Sequence, residues 1–136
     1  MSWRLMAGVV PVVVGVVPLV RWVRRRRQRG PVSREAARQL LREALLRKEQ
    51  VLGYHKERLT VFCPHALASG PGGEYVLAFI IIGEPDPGAD FTSPKRWRWL
   101  RLADLRPTAR RAGLWFSAPR ETRPLLGSVI VELEAA

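Results

Sequence analysis

One cysteine, Cys63, and two histidines, His55 and His65, are all that this 136-residue sequence holds of those two residue types. A single thiol excludes an internal disulfide and fits a reducing compartment. Zinc takes three or four ligands in workable geometry, and a Cys-x-His pair with one distant histidine falls short of that. The same two residues, Cys63 and His65, lack a third group that would orient the base of a nucleophile pair. Glycines at 70, 72 and 73 do not open a helix, so no phosphate loop is formed there. Lysine is scarce too, at three against twenty arginines, and no internal repeat is visible. No enzyme activity, no metal and no cofactor is expected.

What is abundant is positive charge, +11 in all, and its distribution is lopsided. Residues 1–58 hold fourteen Lys/Arg against four Asp/Glu, whereas residues 59–136 hold nine against eight. The basicity belongs to the N-terminal part, not to the part with the composition of a folded core.

That N-terminal part contains Leu5–Val20, sixteen residues without a charge, bounded by Arg4 on one side. On the other side stand Arg21, Arg24, Arg25, Arg26, Arg27 and Arg29. Extended to the Trp3–Val23 frame, the run approaches the roughly 20 helical residues that a hydrocarbon core needs. Trp3 and Trp22 then fall near the two interfaces. No small-residue cleavage site follows, so a removable signal peptide is not expected. Residues 1–23 are expected to be a transmembrane anchor, 24–33 a basic juxtamembrane linker and 34–136 a helix plus small β-barrel domain. The arginine asymmetry places the N-terminus outside and the domain in the cytoplasm, in a single-pass inner-membrane protein. The cluster Arg21, Arg24, Arg25, Arg26, Arg27 and Arg29 would lie against anionic lipid.

Beyond the anchor, Ser33 reads as an N-cap, with Glu35 in the first turn. Ala37, Leu40, Leu41, Ala44 and Leu45 recur at helical spacing, predicting an amphipathic helix that ends near Glu49 or Gln50. Residues 51–55 and 59–63 read as paired short strands, with Pro64 ending regular pairing. Ser69-Gly70-Pro71-Gly72-Gly73 is a turn. Glu74–Ile82 is the clearest strand: Tyr75, Leu77, Phe79 and Ile81 point one way, and Val76, Ala78, Ile80 and Ile82 the other. A strand apolar on both sides is covered on both, with the helix on one of them. Residues 83–94 form a polar loop, and Lys95–Leu102 resumes the strand pattern. Ala103–Pro107 predicts a short helical turn closed by its proline, 119–124 a loop, and Ser128–Leu133 a last strand. The expected fold class is α+β: an N-terminal transmembrane helix, one amphipathic helix, then a small SH3-like antiparallel β-barrel or bent sheet.

The order of landmarks resembles the WYL-like domains of bacteria. The residues that carry the resemblance are Tyr54, Pro64-His65-Ala66-Leu67, Glu74-Tyr75-Val76-Leu77-Ala78-Phe79 and Leu100-Arg101-Leu102-Ala103-Asp104-Leu105. They span about residues 37–105. The resemblance implies an SH3-like barrel whose later strands line a ligand-binding face. Tyr75 matches the motif tyrosine and Val76 its leucine, while Glu74 stands where the tryptophan would be. Arg101 matches the first arginine of the later strand, and Asp104 stands where a second is usual, which weighs against phosphate binding at those positions.

One constellation has the chemistry of a binding face: Trp97 and Trp99 interleaved with Arg96, Arg98 and Arg101. Aromatic and arginine side chains on a sheet can stack bases and hold phosphates. A domain this small also needs large apolar residues inside, and core packing of both tryptophans is the favoured reading. Tyr75, Trp97, Trp99 and Arg101 are the candidate ligand-binding residues. The expected function is a membrane-tethered, cytoplasm-facing, WYL-like regulatory module that senses a ligand or holds a protein partner. A nucleic-acid-binding module at the membrane surface is the alternative, and an accessory subunit of a larger membrane complex is a third. The expected partners are an anionic lipid membrane and a protein or small ligand, with nucleic acid less favoured.

Overall fold

The computed structural model describes residues 33–125, 127 and 130–135. Among the described residues there is one α-helix, α1, which runs Arg34–Arg47. Ser33 caps it, its hydroxyl accepting from the Ala36 N–H at 3.0 Å. The helix stops two residues earlier than the periodicity suggests, because Lys48 turns left-handed at φ 53° and its N–H returns to the Ala44 and Leu45 carbonyls.

Six strands follow: β1 Gln50–His55, β2 Arg58–Gly70, β3 Gly73–Ile82, β4 Trp97–Arg101, β5 Leu105–Arg111 and β6 Ile130–Glu134. All pair antiparallel in one sheet, along the path β4-β3-β2-β1-β5, with β6 added to β2. β4 and β5 sit at opposite ends of this path, yet only the 3-10 turn Leu102–Asp104 separates them. In a flat sheet, four spacings would hold them about 19 Å apart. The connection can reach only about 14 Å fully extended. The sheet therefore curls until its ends approach. β2 makes this possible, since it pairs β3 along one edge while its other edge serves β1 at 58–62 and β6 at 66–69.

Two prolines that read as strand breakers lie inside strands. Pro64 sits in β2 next to a register shift against β3, between the stretches that pair β1 and β6, where its missing N–H interrupts no ladder. Pro107 sits in β5, where residues 103–107 were expected to be a helical turn. The register against β1 slips there between Leu52 and Gly53. The spare residue, Thr108, turns its hydroxyl onto the Leu52 carbonyl at 2.9 Å. Gly53 is required opposite, because a β-carbon there would lie 2.5 Å from the Arg106 carbonyl oxygen.

The core has two main parts, one on each face of β3. On one face, Val76, Ala78 and Ile80 join Phe62, Leu67, Leu100 and Leu102 beneath Leu41, Ala44 and Leu45 of α1. On the other, Leu77 and Phe79 pack with Cys63, Ala66 and Trp97, and Trp115, Phe116 and Ala118 cover them.

The membrane-spanning part of the expected fold class is corrected. No helix of the described residues is long and apolar enough to cross a membrane. α1 covers about 21 Å and carries charged residues throughout, against the roughly 30 Å of hydrocarbon to be crossed. The described residues fold as one helix on a six-stranded antiparallel sheet, and the single-pass inner-membrane assignment has no support among them. The expected anchor and the Arg21–Arg29 cluster lie outside the described residues.

Candidate functional site

The four candidate ligand-binding residues come together on one face. Antiparallel pairing sets Tyr75 opposite Arg101, Leu77 opposite Trp99 and Phe79 opposite Trp97. Alternation along both strands turns all six side chains away from α1. Their burial then differs by position along the strands.

Trp97 belongs to the core. It is 4% exposed, edge-on to Phe79 at 5.0 Å and to His65 at 4.9 Å, and its indole N–H donates to the Thr122 hydroxyl at 2.9 Å. Trp99 is half-buried, with its indole N–H on the Pro124 carbonyl at 2.8 Å. Arg101 is exposed, one guanidinium nitrogen donating to the Gly72 carbonyl at 2.9 Å. The arginines interleaved with the tryptophans do not form a stacking platform. Arg96 is 1% exposed and inside, donating to the carbonyls of Asp90, Ile80, Ile81 and Gly88, with its guanidinium 4.1 Å from the Phe91 ring centre. Arg98 is turned onto the carbonyls of Lys95 and Trp97.

Residues 112–124 form a strap over this face, with only the 3-10 turn Arg120–Thr122 as regular structure. Side chains of the body hold it. Gln50 Nε2 donates to the Leu114 carbonyl at 2.6 Å, and the Phe116 N–H donates to Cys63 Sγ at 3.4 Å. His65 Nε2 lies 2.9 Å from the Phe116 carbonyl, which can only accept, so this nitrogen carries the proton of the neutral ring. Burial drives the His65 pKa down to about 4 and pushes the Cys63 thiol up to about 11. Neither group is poised for acid–base or nucleophilic work near neutral pH. Among the described residues no three His, Cys, Asp or Glu side chains are grouped to hold a metal.

Where the strap leaves the face, a groove of about 320 Å³ opens. Ala66, Leu77, Trp99 and Val131 make its apolar floor, and Pro124 and Leu125 wall it. The rim carries Arg120, Glu121, Arg123 and Glu134, two charges of each sign. Arg120 and Arg123 share Glu134, at 2.7 and 3.3 Å. Burial lowers the Arg123 pKa, and its buried Nε has no hydrogen-bond partner among the described residues. Beside the groove, β6 pairs among the described residues with β2 alone, and Leu125, Ile130 and Val131 are 97%, 70% and 46% exposed.

Of the residues that make this groove, sequence reasoning singles out only Trp99. The contribution of 120–125 and β6 depends on long-range pairing. Its one local signal is a run of apolar residues near the C-terminus too short to build a core. Compared with known protein families, curated proteins and solved structures, the chain matches none.

Proposed function

We propose that this domain is a non-catalytic binding module, and that its occupant is an extended apolar segment of a protein partner. The observation that carries this reading is the apolar groove floored by Trp99, Leu77 and Val131 beside the outer edge of β6, which pairs with no other strand among the described residues. An exposed edge offers unpaired backbone N–H and C=O groups to an added strand, and a neighbouring pocket reads alternate side chains of that strand. The rim charges balance, so the groove selects on apolar contact, which favours an apolar segment over a polyanion. In this proposal Tyr75 and Arg101, opposite each other on β3 and β4, would belong to the binding face that the resemblance to WYL-like domains implies.

The test is selection of peptides from a displayed random library on the intact chain. Enriched sequences should carry alternating apolar residues, and Trp99→Ala should weaken them by at least about tenfold, or 1.4 kcal/mol. Leu46→Ala, a change at an exposed leucine of α1 away from the groove, should leave them bound. Failure to enrich any such sequence, or equal binding to the Trp99→Ala chain, would overturn the reading.

A further inference from the structure

The groove beside β6 asks for an uncharged apolar segment, and this chain carries one of its own. Leu5–Val20 has no charged side chain, and within it Val12, Val13, Val14, Val16 and Val17 stand between Pro11 and Pro18. β-branched residues favour extended backbone. Prolines at both ends suit a strand laid on an edge, where only one side of the backbone has to pair. The run lies outside the described residues.

The chain enters the described fold at the end of the sheet that carries the groove. Arg34, the first residue of α1, lines a cavity of about 70 Å³ together with Gly72 and Gly73 at the β2–β3 turn. The Ala66–Leu77 pair in the groove floor lies about 13 Å along the strands from the Gly70–Gly73 pair that closes this turn. Residues 18–32, which separate Val17 from the Ser33 cap, span up to about 50 Å when extended. That length is enough to round the turn and reach the face away from α1.

We propose that Val12–Val17 occupies the Trp99 groove of its own chain along the β6 edge, and that a partner segment binds by displacing it. This rests on the reading of the groove as a seat for an extended apolar segment, and adds an autoinhibitory contact to it. In an extended segment Val12, Val14 and Val16 share one side, the alternate apolar positions that a strand bound at an edge presents to a neighbouring pocket. An uncharged segment leaves Arg120, Arg123 and Glu134 in their existing ion pairs on the rim. A tethered segment meets its groove at an effective concentration on the order of 1 mM, so weak contacts fill the site. A free partner at micromolar concentration starts at a disadvantage of about a thousandfold, and must offer better contacts to displace it.

The experiment compares the intact chain with a full-length variant carrying Val12→Asp, Val14→Asp and Val16→Asp. A peptide selected on the groove should bind the variant at least about tenfold more tightly, because a groove filled about nine-tenths of the time lowers the apparent affinity by that factor. Ser2→Asp, outside the run, should leave the affinity of the intact chain unchanged. A second measurement needs no peptide. A spin label at Ala7→Cys, in the Cys63→Ser chain, should broaden the Trp99 indole and Val131 signals when label and isotope share one molecule, and not when they sit on different molecules in a mixture. Equal peptide affinity in the intact and triple-Asp chains, with Trp99→Ala still weakening both, would overturn the contact and leave the groove reading standing. Broadening within one molecule without any selected peptide would do the reverse, keeping the contact and ending the partner reading. Broadening only between molecules would give the segment to a second copy, and unaltered Trp99 and Val131 signals would remove it from the groove; either overturns the proposal.

Discussion

Arg38 and Glu74 tie α1 to the first residues of β3 by two parallel bonds, Nε to Oε2 at 2.7 Å and Nη2 to Oε1 at 2.6 Å. Glu74 stands where the resemblance would place a tryptophan, and the structure uses it to fix the helix over the sheet. The Arg38 side chain is 43% exposed and Glu74 20%, so water and salt weaken the pair. A double-mutant cycle with Arg38→Gln and Glu74→Gln should give a favourable, non-additive coupling that shrinks in 1 M salt. Strictly additive effects would mean that the two bonds do not act together in solution.

Phe79 sits at 0% exposure with Trp97 against it. Replacing it with alanine should cost about 3–5 kcal/mol in urea denaturation, as large aromatic deletions from a core do. Leu114→Ala, at a residue 71% exposed, should stay within about 0.5 kcal/mol. Comparable losses at both positions would show that the strap, not the sheet face, is where stability resides.

His65 ties stability to acid. Its folded pKa of about 4 lies below the ordinary 6.5, so the unfolded chain takes up a proton first as pH falls. The contribution is complete above about pH 6.5 and is lost as pH drops toward 4, a change on the order of 3 kcal/mol. His55, also lowered by burial, acts in the same direction. The His65→Gln chain should show a flatter dependence between pH 4 and 6.5. An unchanged slope would place the acid sensitivity elsewhere.

Much of the α1–β3 sandwich is legible in the sequence, because helical and alternating periodicities are local. Ser33, Ala37, Leu41 and Leu45 announce the helix, and the two-sided β3 announces cover on both faces. Pro64 and Pro107 mislead for a physical reason: a proline is tolerated wherever a ladder bond is already absent, and only the register reveals such places. The binding-site candidates share a face as alternation requires, but alternation says nothing of what covers a face. The strap that buries Trp97 and leaves Trp99 half open comes from residues 112–124, which lack any period. The groove arises from segments far apart in sequence, Trp99 with Val131.

Cys63 offers a direct reading of that strap. The thiol is 0% exposed and held in its protonated form by burial. A neutral disulfide reagent at pH 8 should label it slowly, and Trp115→Ala should raise the rate at least about tenfold while the circular dichroism of the sheet persists. If labelling instead follows global unfolding in both chains, the strap does not open by itself.

Binding at the Trp99 groove can be watched through the indole N–H resonances of the isotope-labelled chain. Trp97 and Trp99 donate their indole protons to Thr122 and Pro124 respectively, so each reports its own surroundings. Titration with a peptide selected on the intact chain should shift the Trp99 indole signal progressively and saturably, together with backbone signals of Val131 and Leu133 on β6. The Trp97 indole, sealed beneath the strap, should scarcely move. A titration that saturates with the Trp99 and β6 signals unmoved, while residues of β1 or β5 shift, would show that the groove is not the binding surface.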